Sequence, residues 1–139
     1  MDRLTPEQRS ALMSKVRSRD TGPEMAVRRT AHGMGFRYRL NVKDLPGHPD
    51  LVFPKFRKAI FVHGCFWHAH EGCKLFRVPS TRPDYWRQKF ATNRARDKRV
   101  IVELEDRGWR ILVVWQCETM DLGTLAAKIR SFLLDEPQG

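Results

Sequence analysis

No apolar run in this 139-residue chain approaches the roughly twenty residues a membrane helix needs. The N-terminal MDRLTPEQRS also lacks the apolar centre of a signal peptide. Both absences predict a cytoplasmic protein. Cysteine is scarce, at three residues, and an odd count argues against a disulfide framework and towards metal ligation. Acidic residues are in deficit, sixteen against twenty-six Lys and Arg, giving a net charge of +10. A positive field on so small a surface attracts polyanions, nucleic acid first. No helix joins a basic face to a large apolar one, which sets an anionic membrane aside. Low-complexity runs and linkers are missing too, so the chain is expected to fold as one domain over residues 1–139, burying roughly two thirds of its unfolded surface.

What is present reads as alternating elements. Thr5-Pro6-Glu7-Gln8 opens a helix, with Thr5 as cap and Gln8 closing a capping box. That helix fills most of residues 1–20 and is poor in core residues, with Met13 and Val16 on one face among Arg and Lys, so its packing partner need not be protein. Thr21 caps a second helix with Pro23 and Glu24 in its first turn and Gly33 or Gly35 as its stop. FRYRL is a short strand, and residues 50–53 and 59–62 form a hairpin around a turn at Pro54 to Arg57. With Lys55 and Phe56 in the turn, Asp50 falls opposite Phe61, near Val62 and His63; the register could slip by one. Residues 64–81 have no period and read as a loop. A long helix follows, capped by Ser80 or Thr81 and running to about Arg107, with Trp86, Phe90, Ile101 and Leu104 on one stripe. Asn93, Arg94 and Asp97 interrupt that stripe, so its middle meets something other than core. WRILVVW is a buried strand. The last helix carries Leu122, Leu125, Ala126, Ile129, Phe132 and Leu133 as a core stripe. The class is α/β, a mixed sheet flanked by helices.

Between His63 and Cys73 the chain reads HGCFWHAHEGC, three of its five histidines and two of its three cysteines in eleven residues. Cys65, His70 and Cys73, with the distant Cys117, make a Cys3His set suited to tetrahedral zinc. Such a site would pin the long loop to the sheet and, with no coordination position left for water, would be structural. The plainer reading is buried thiols and a stray histidine. His63 and His68 then remain beside the set, with Asp50 delivered from the facing strand. One carboxylate and a backbone carbonyl, here that of Val62, can suffice for Mg²⁺, and a neutral histidine can take the proton of an attacking water. Glu24 can act on a water of that ion from further out. Pro49-Asp50 matches half of a common nuclease pattern, but the Glu-x-Lys usually found on the next strand is missing.

RDTGPE, LPGHPDLVF, VHGCFWHAHEGC, RPDYWRQK, NRARD and GWRILVVWQC occur in an order and spacing that resemble the very short patch repair (Vsr) endonucleases, over residues 5–118. The resemblance implies a restriction-endonuclease-like fold with a structural zinc site, and Mg²⁺-dependent nicking 5′ of the T in a T:G mismatch. By the same resemblance Asp50 and the Val62 carbonyl hold Mg²⁺, His68 is the general base, His63 a second catalytic histidine, and Glu24 the family's N-terminal acid. Cys65, His70, Cys73 and Cys117 fall on the zinc ligands. Phe66, Trp67 and Trp86 fall on aromatics that wedge into DNA, while Met13 and Val16 fall on a helix entering the opposite groove. Two departures stand out: Val62 replaces a frequent Thr, and Gly72 adds a residue between His70 and Cys73.

On the long helix Arg87, Lys89, Arg94 and Arg96 are candidate phosphate contacts, with Lys89 and Asn93 able to reach base edges. A wedge costs unstacking energy, and a mismatched step is already easier to open. Phe66 and Trp67 could instead be core over the zinc loop. The expected activity is a bacterial T:G mismatch nickase acting as a monomer on double-stranded DNA, with mismatch-repair proteins as candidate partners. The alternatives are a relaxed nickase with sequence or other-lesion specificity, and a zinc-stabilised DNA-binding protein without catalysis.

Overall fold

The computed structural model describes residues 21–40 and 42–135. The helix expected within residues 1–20, with Met13 and Val16, lies outside them. Helix α1 (Gly22–Gly33) begins where Thr21 Oγ1 accepts the Glu24 N–H and Pro23 occupies the first turn. Strand β1 keeps only Arg39–Leu40 of FRYRL. β2 (Leu51–Phe53) and β3 (Lys58–His63) form the hairpin, α2 (Pro83–Asp106) is the long helix, and β4 (Arg110–Trp115) leads through a 3-10 turn, Gln116–Met120, into α3 (Leu122–Leu134).

The sheet order is β1-β2-β3-β4, antiparallel across the first two joins and parallel between β3 and β4. Leu51 faces Ile60 and Phe53 faces Lys58, as the turn at Lys55-Phe56 requires. At Asp50 the ladder steps by one, its N–H reaching the carbonyl of Ile60 at 3.0 Å. Side chains alternate along β3. Ile60 and Val62 join Val27, Ala31, Leu125, Ile129 and Leu133 in the core under α1 and α3. Phe61 and His63 point the other way, lining a cavity with Val100 and Ile101 of α2. This is a mixed sheet between helical layers. Among the described residues no helix is long and apolar enough to cross a membrane.

Three expectations are corrected. β4 is an edge strand, so only Val114 of its six residues is buried. Neither Ser80 nor Thr81 caps α2: Arg82 holds the cap position in a left-handed conformation, φ +54, without a side-chain cap bond. Leu122 begins α3 before the helix reaches the sheet and stays 60% exposed, while Leu125, Ile129 and Leu133 are buried.

Lys58 replaces the basic last turn that α3 lacks. Its Nζ, from the start of β3, donates to the carbonyls of Phe132, Leu133 and Asp135 at 2.7, 3.1 and 2.6 Å. Those are among the carbonyls a helix leaves open at its C-terminus, where a cation is favoured. Burial, followed by the nearby Arg110 charge, holds this ammonium below the usual lysine range. Lys58→Met keeps the stem and removes the donors, and should lower stability to urea unfolding by about 2–3 kcal/mol.

Candidate active site and metal centre

The loop after β3 is built from successive tight turns. The N–H groups of His68, Ala69 and His70 donate to the carbonyls of Gly64, Phe66 and Cys65. Ala69 at φ +52 and Gly72 at φ +73 let the chain reverse, and Gly72 absorbs the extra residue between His70 and Cys73. The result gathers Cys65, His70, Cys73 and Cys117, whose ligand atoms all lie within 4.8 Å of one another.

This donor set fits a tetrahedral ion. Cys117 Sγ lies 3.5 Å from His70 Nδ1, close to the roughly 3.6 Å edge expected when sulfur and nitrogen share one zinc. All three cysteines are free thiols. Burial pushes the Cys65 thiol up to about 12, so this buried sulfur becomes a good ligand when a cation takes its charge. The Cys117 N–H donates to Cys65 Sγ at 3.3 Å, and the Cys65 N–H donates to Gln116 Oε1 at 3.2 Å. The end of β3 and the turn after β4 are therefore stitched together. Trp115 covers the cluster, its ring stacked on His70 with centroids 4.0 Å apart.

Beside the cluster, edge-on to Trp115, stand His63 and His68. Their rings are stacked, 3.9 Å apart and inclined by 4°. His68 Nδ1 makes a 2.6 Å bond to Asp97 Oδ2 from α2. Desolvation would raise the Asp97 carboxyl, but this bond and the charge of both rings outweigh it and hold it below its usual range. Burial, and then the neighbouring His68, lowers His63 to about 4. It is therefore neutral near pH 7.

Asp50 shares a cavity of about 270 Å³ with Val62, His63, His68 and Asp97. Its Oδ2 accepts the Val62 N–H at 2.6 Å. Burial nevertheless raises the carboxyl from 3.8 to about 6, with Glu24 adding to the rise and Arg28 opposing it. A desolvated carboxylate beside a second acid fits a hard cation, which supplies the charge its surroundings withhold. Glu24, held 3.5 Å from Arg28, lines a larger cavity of about 710 Å³ with Val62, His68, Phe66, Trp67, Lys89, Asn93 and Arg96. Asp50, His63, His68, Val62 and Glu24 are thus brought together from four elements.

The aromatics form one cluster: Phe66 packs edge-on against Trp67, Trp86 and Phe90 at 5.1, 5.6 and 5.3 Å. Phe90 is its buried base; Phe66, Trp67 and Trp86 are half-exposed. Two helix residues differ from expectation. Asn93 is 6% exposed and gives an amide N–H to the Trp67 carbonyl at 2.9 Å. Arg94 binds the Ala69 carbonyl and Glu71, strapping the loop instead of standing free. Arg87 lies outside both cavities beside Asp84. Asp97 was missed as a site residue; its signal was the polar break in the α2 stripe.

A mixed sheet whose strand ends carry a carboxylate and paired imidazoles beside a basic helix is the layout of an α/β nuclease. Residues 1–74 match the model of the family described as DNA mismatch endonuclease Vsr. The type II nicking enzyme V.XorIIP of Xanthomonas oryzae pv. oryzae is 55% identical over 132 residues, which is 95% of this chain and 96% of the relative. The DNA mismatch endonuclease Vsr of Escherichia coli is 44% identical over 109 residues, 78% and 69% of the two chains. The type II nicking enzyme V.NmeAIP of Neisseria meningitidis serogroup A is 41% identical over 117 residues, 84% and 83%. The chain belongs to the Vsr endonuclease family. As a nuclease it departs from the reading of a DNA-binding protein without catalysis.

The Asp50 carboxyl keeps its proton to about pH 6 when folded but releases it near 3.8 when unfolded. The folded chain therefore holds more protons across that window, and this group's contribution to stability falls as pH rises through it. His63 contributes with the opposite sign, so the comparison of variants isolates Asp50. Without added divalent cation, Asp50→Asn should gain up to about 3 kcal/mol over the natural protein between about pH 4 and pH 6 in urea unfolding. A constant difference would contradict the buried-acid assignment.

Proposed function

We propose that this protein nicks one strand of duplex DNA on the 5′ side of the T in a T:G mismatch, with Mg²⁺ at Asp50 and Zn²⁺ in the Cys3His cluster. The observation that carries the reading is the convergence of Asp50, His63, His68 and Asp97 on one cavity beside the half-exposed Phe66 and Trp67.

Asp50 and the Val62 carbonyl would hold Mg²⁺, which when bound would supply charge neutralisation at the scissile phosphate and lower the pKa of the attacking water. His68 bonds Asp97 through Nδ1, leaving Nε2 to accept the water's proton. Asp97 is a positioning residue: it fixes the ring and stabilises the imidazolium as it forms. His63, neutral and stacked on His68, holds that ring from behind without adding a repelling charge, and its own N–H is available to a phosphate oxygen. Glu24 lies on the same cavity as Val62 and His68, where it can order water around the ion. Cys65, His70, Cys73 and Cys117 leave no ligand position free, so their zinc is structural.

Phe66 and Trp67 face the larger cavity over a packed aromatic base, a shape suited to insertion at a weakened base step. Trp86 braces them. Lys89 and Arg96 reach the same cavity from α2 and serve as DNA contacts, whereas Asn93 and Arg94 act through the loop they hold. A nickase with sequence-context preference is the second reading, favoured by the 55% identity to a relative named as a type II nicking enzyme.

Duplexes that differ only by G:T against G:C test the proposal with Mg²⁺ on a denaturing gel. A nick confined to the T strand of the G:T duplex is expected, and His68→Ala should slow it by about 10²- to 10⁴-fold. Equal cutting of both duplexes would defeat the mismatch reading and favour the second; no cutting would defeat both.

A further inference from the structure

Val62, His68 and Arg96 are shared by the two cavities and form a ridge between them. The larger cavity, with the aromatics, has an assigned occupant; the smaller one has none beyond the ion at Asp50. One wall of the smaller cavity is the turn Leu45-Pro46-Gly47-His48, closed by the His48 N–H on the Leu45 carbonyl at 3.2 Å. Gly47 is needed there twice over. It takes φ +72, and a Cβ would run into Val100 Cγ1. His48 follows at φ +50, a conformation side chains rarely adopt, and is then anchored by the buried Pro49. The exposed His48 thus lines the cavity together with Asp50 and Arg96 from a constrained backbone.

We propose that the smaller cavity is the subsite for the deoxyribose phosphate on the 5′ side of the cleaved bond, and that His48 binds its phosphate. This rests on the nicking reading above. A strand whose scissile phosphate lies on the ridge must enter both cavities. The aromatic side takes the mismatched T, which is 3′ of the cut, so the preceding nucleotide falls to the other side. The lining suits it: Phe61 and Val100 offer an apolar wall for the sugar, and His48 and Arg96 offer N–H donors for the phosphate. Asp50 and Asp97 stand in the same wall and would repel that phosphate, which makes the two donors necessary. A neutral imidazole keeps one N–H, so the contact does not require a protonated ring.

The test uses His48→Gly, which removes the side chain where glycine is at ease with positive φ, and His48→Asn, which also tolerates that backbone. Single-turnover nicking of the G:T duplex is measured against DNA concentration. Both variants should need about tenfold more DNA for half-saturation with little change in maximal rate. The measurement is repeated on duplexes carrying one neutral methylphosphonate at successive positions. The natural protein should weaken when the phosphate one step 5′ of the cut is neutralised, and His48→Gly should lose nothing further there. Unchanged saturation, losses that add at every position, or coupling on the 3′ side would each overturn the assignment. If the natural protein instead nicks another duplex, the series is run there: coupling 5′ of that cut keeps the subsite while T:G specificity falls. A natural protein that nicks no duplex overturns both.

Discussion

The site depends on holding an irregular loop still. Residues 64–82 have no ladder of their own, and what fixes them is side-chain chemistry reaching in from two other elements. Cys117, beyond β4, closes the Cys3His cluster with Cys65, His70 and Cys73. From α2, Asn93 and Arg94 take the carbonyls of Trp67 and Ala69, and Asp97 takes His68. The two sets of ties bracket the stretch from Trp67 to His70, so the His68 ring is clamped from both sides. Trp115 touches both clusters, stacked on His70 and edge-on to His63 at 5.3 Å.

The electrostatics follow from where these ties bring charge together. Asp97 is exposed enough, and close enough to His68, to stay ionised; Asp50, deeper and next to Glu24, is not stabilised as an anion by the protein alone. The two carboxylates are driven apart in behaviour by burial and neighbours, one bonded to the His68 ring and the other left short of positive charge. His63 is kept neutral, so the stacked histidines do not repel.

Much of this could be read in the residues. The hairpin register followed from its turn, with the one-residue step at Asp50 arising where the strand ends and Val62 offers its N–H to the side chain instead. The run of His and Cys between His63 and Cys73 marked the residues that gather into two side-chain clusters, and Gly72 marked the place where the loop needed positive φ. Other features were illegible for physical reasons. A strand rich in Ile, Leu and Val does not say whether it lies inside a sheet or at its edge, and β4 is at the edge. Asn93 and Arg94 look like DNA contacts because polar groups on a helix bind phosphate and loop carbonyls with the same donors. Asp97 pairs with His68 across 29 positions, and Lys58 with the end of α3 across more than 70, separations at which one-dimensional pattern carries no signal.

Hydrogen exchange before and after chelation of the metal proposed for the Cys3His cluster, read alongside nicking of the G:T duplex, tests the clamp most directly. The account predicts that His68, Ala69 and His70 lose amide protection and nicking stops, while β3 and the helix amides of α3 stay protected. Retained protection across residues 64–73, with nicking undiminished in the chelated protein, would contradict it.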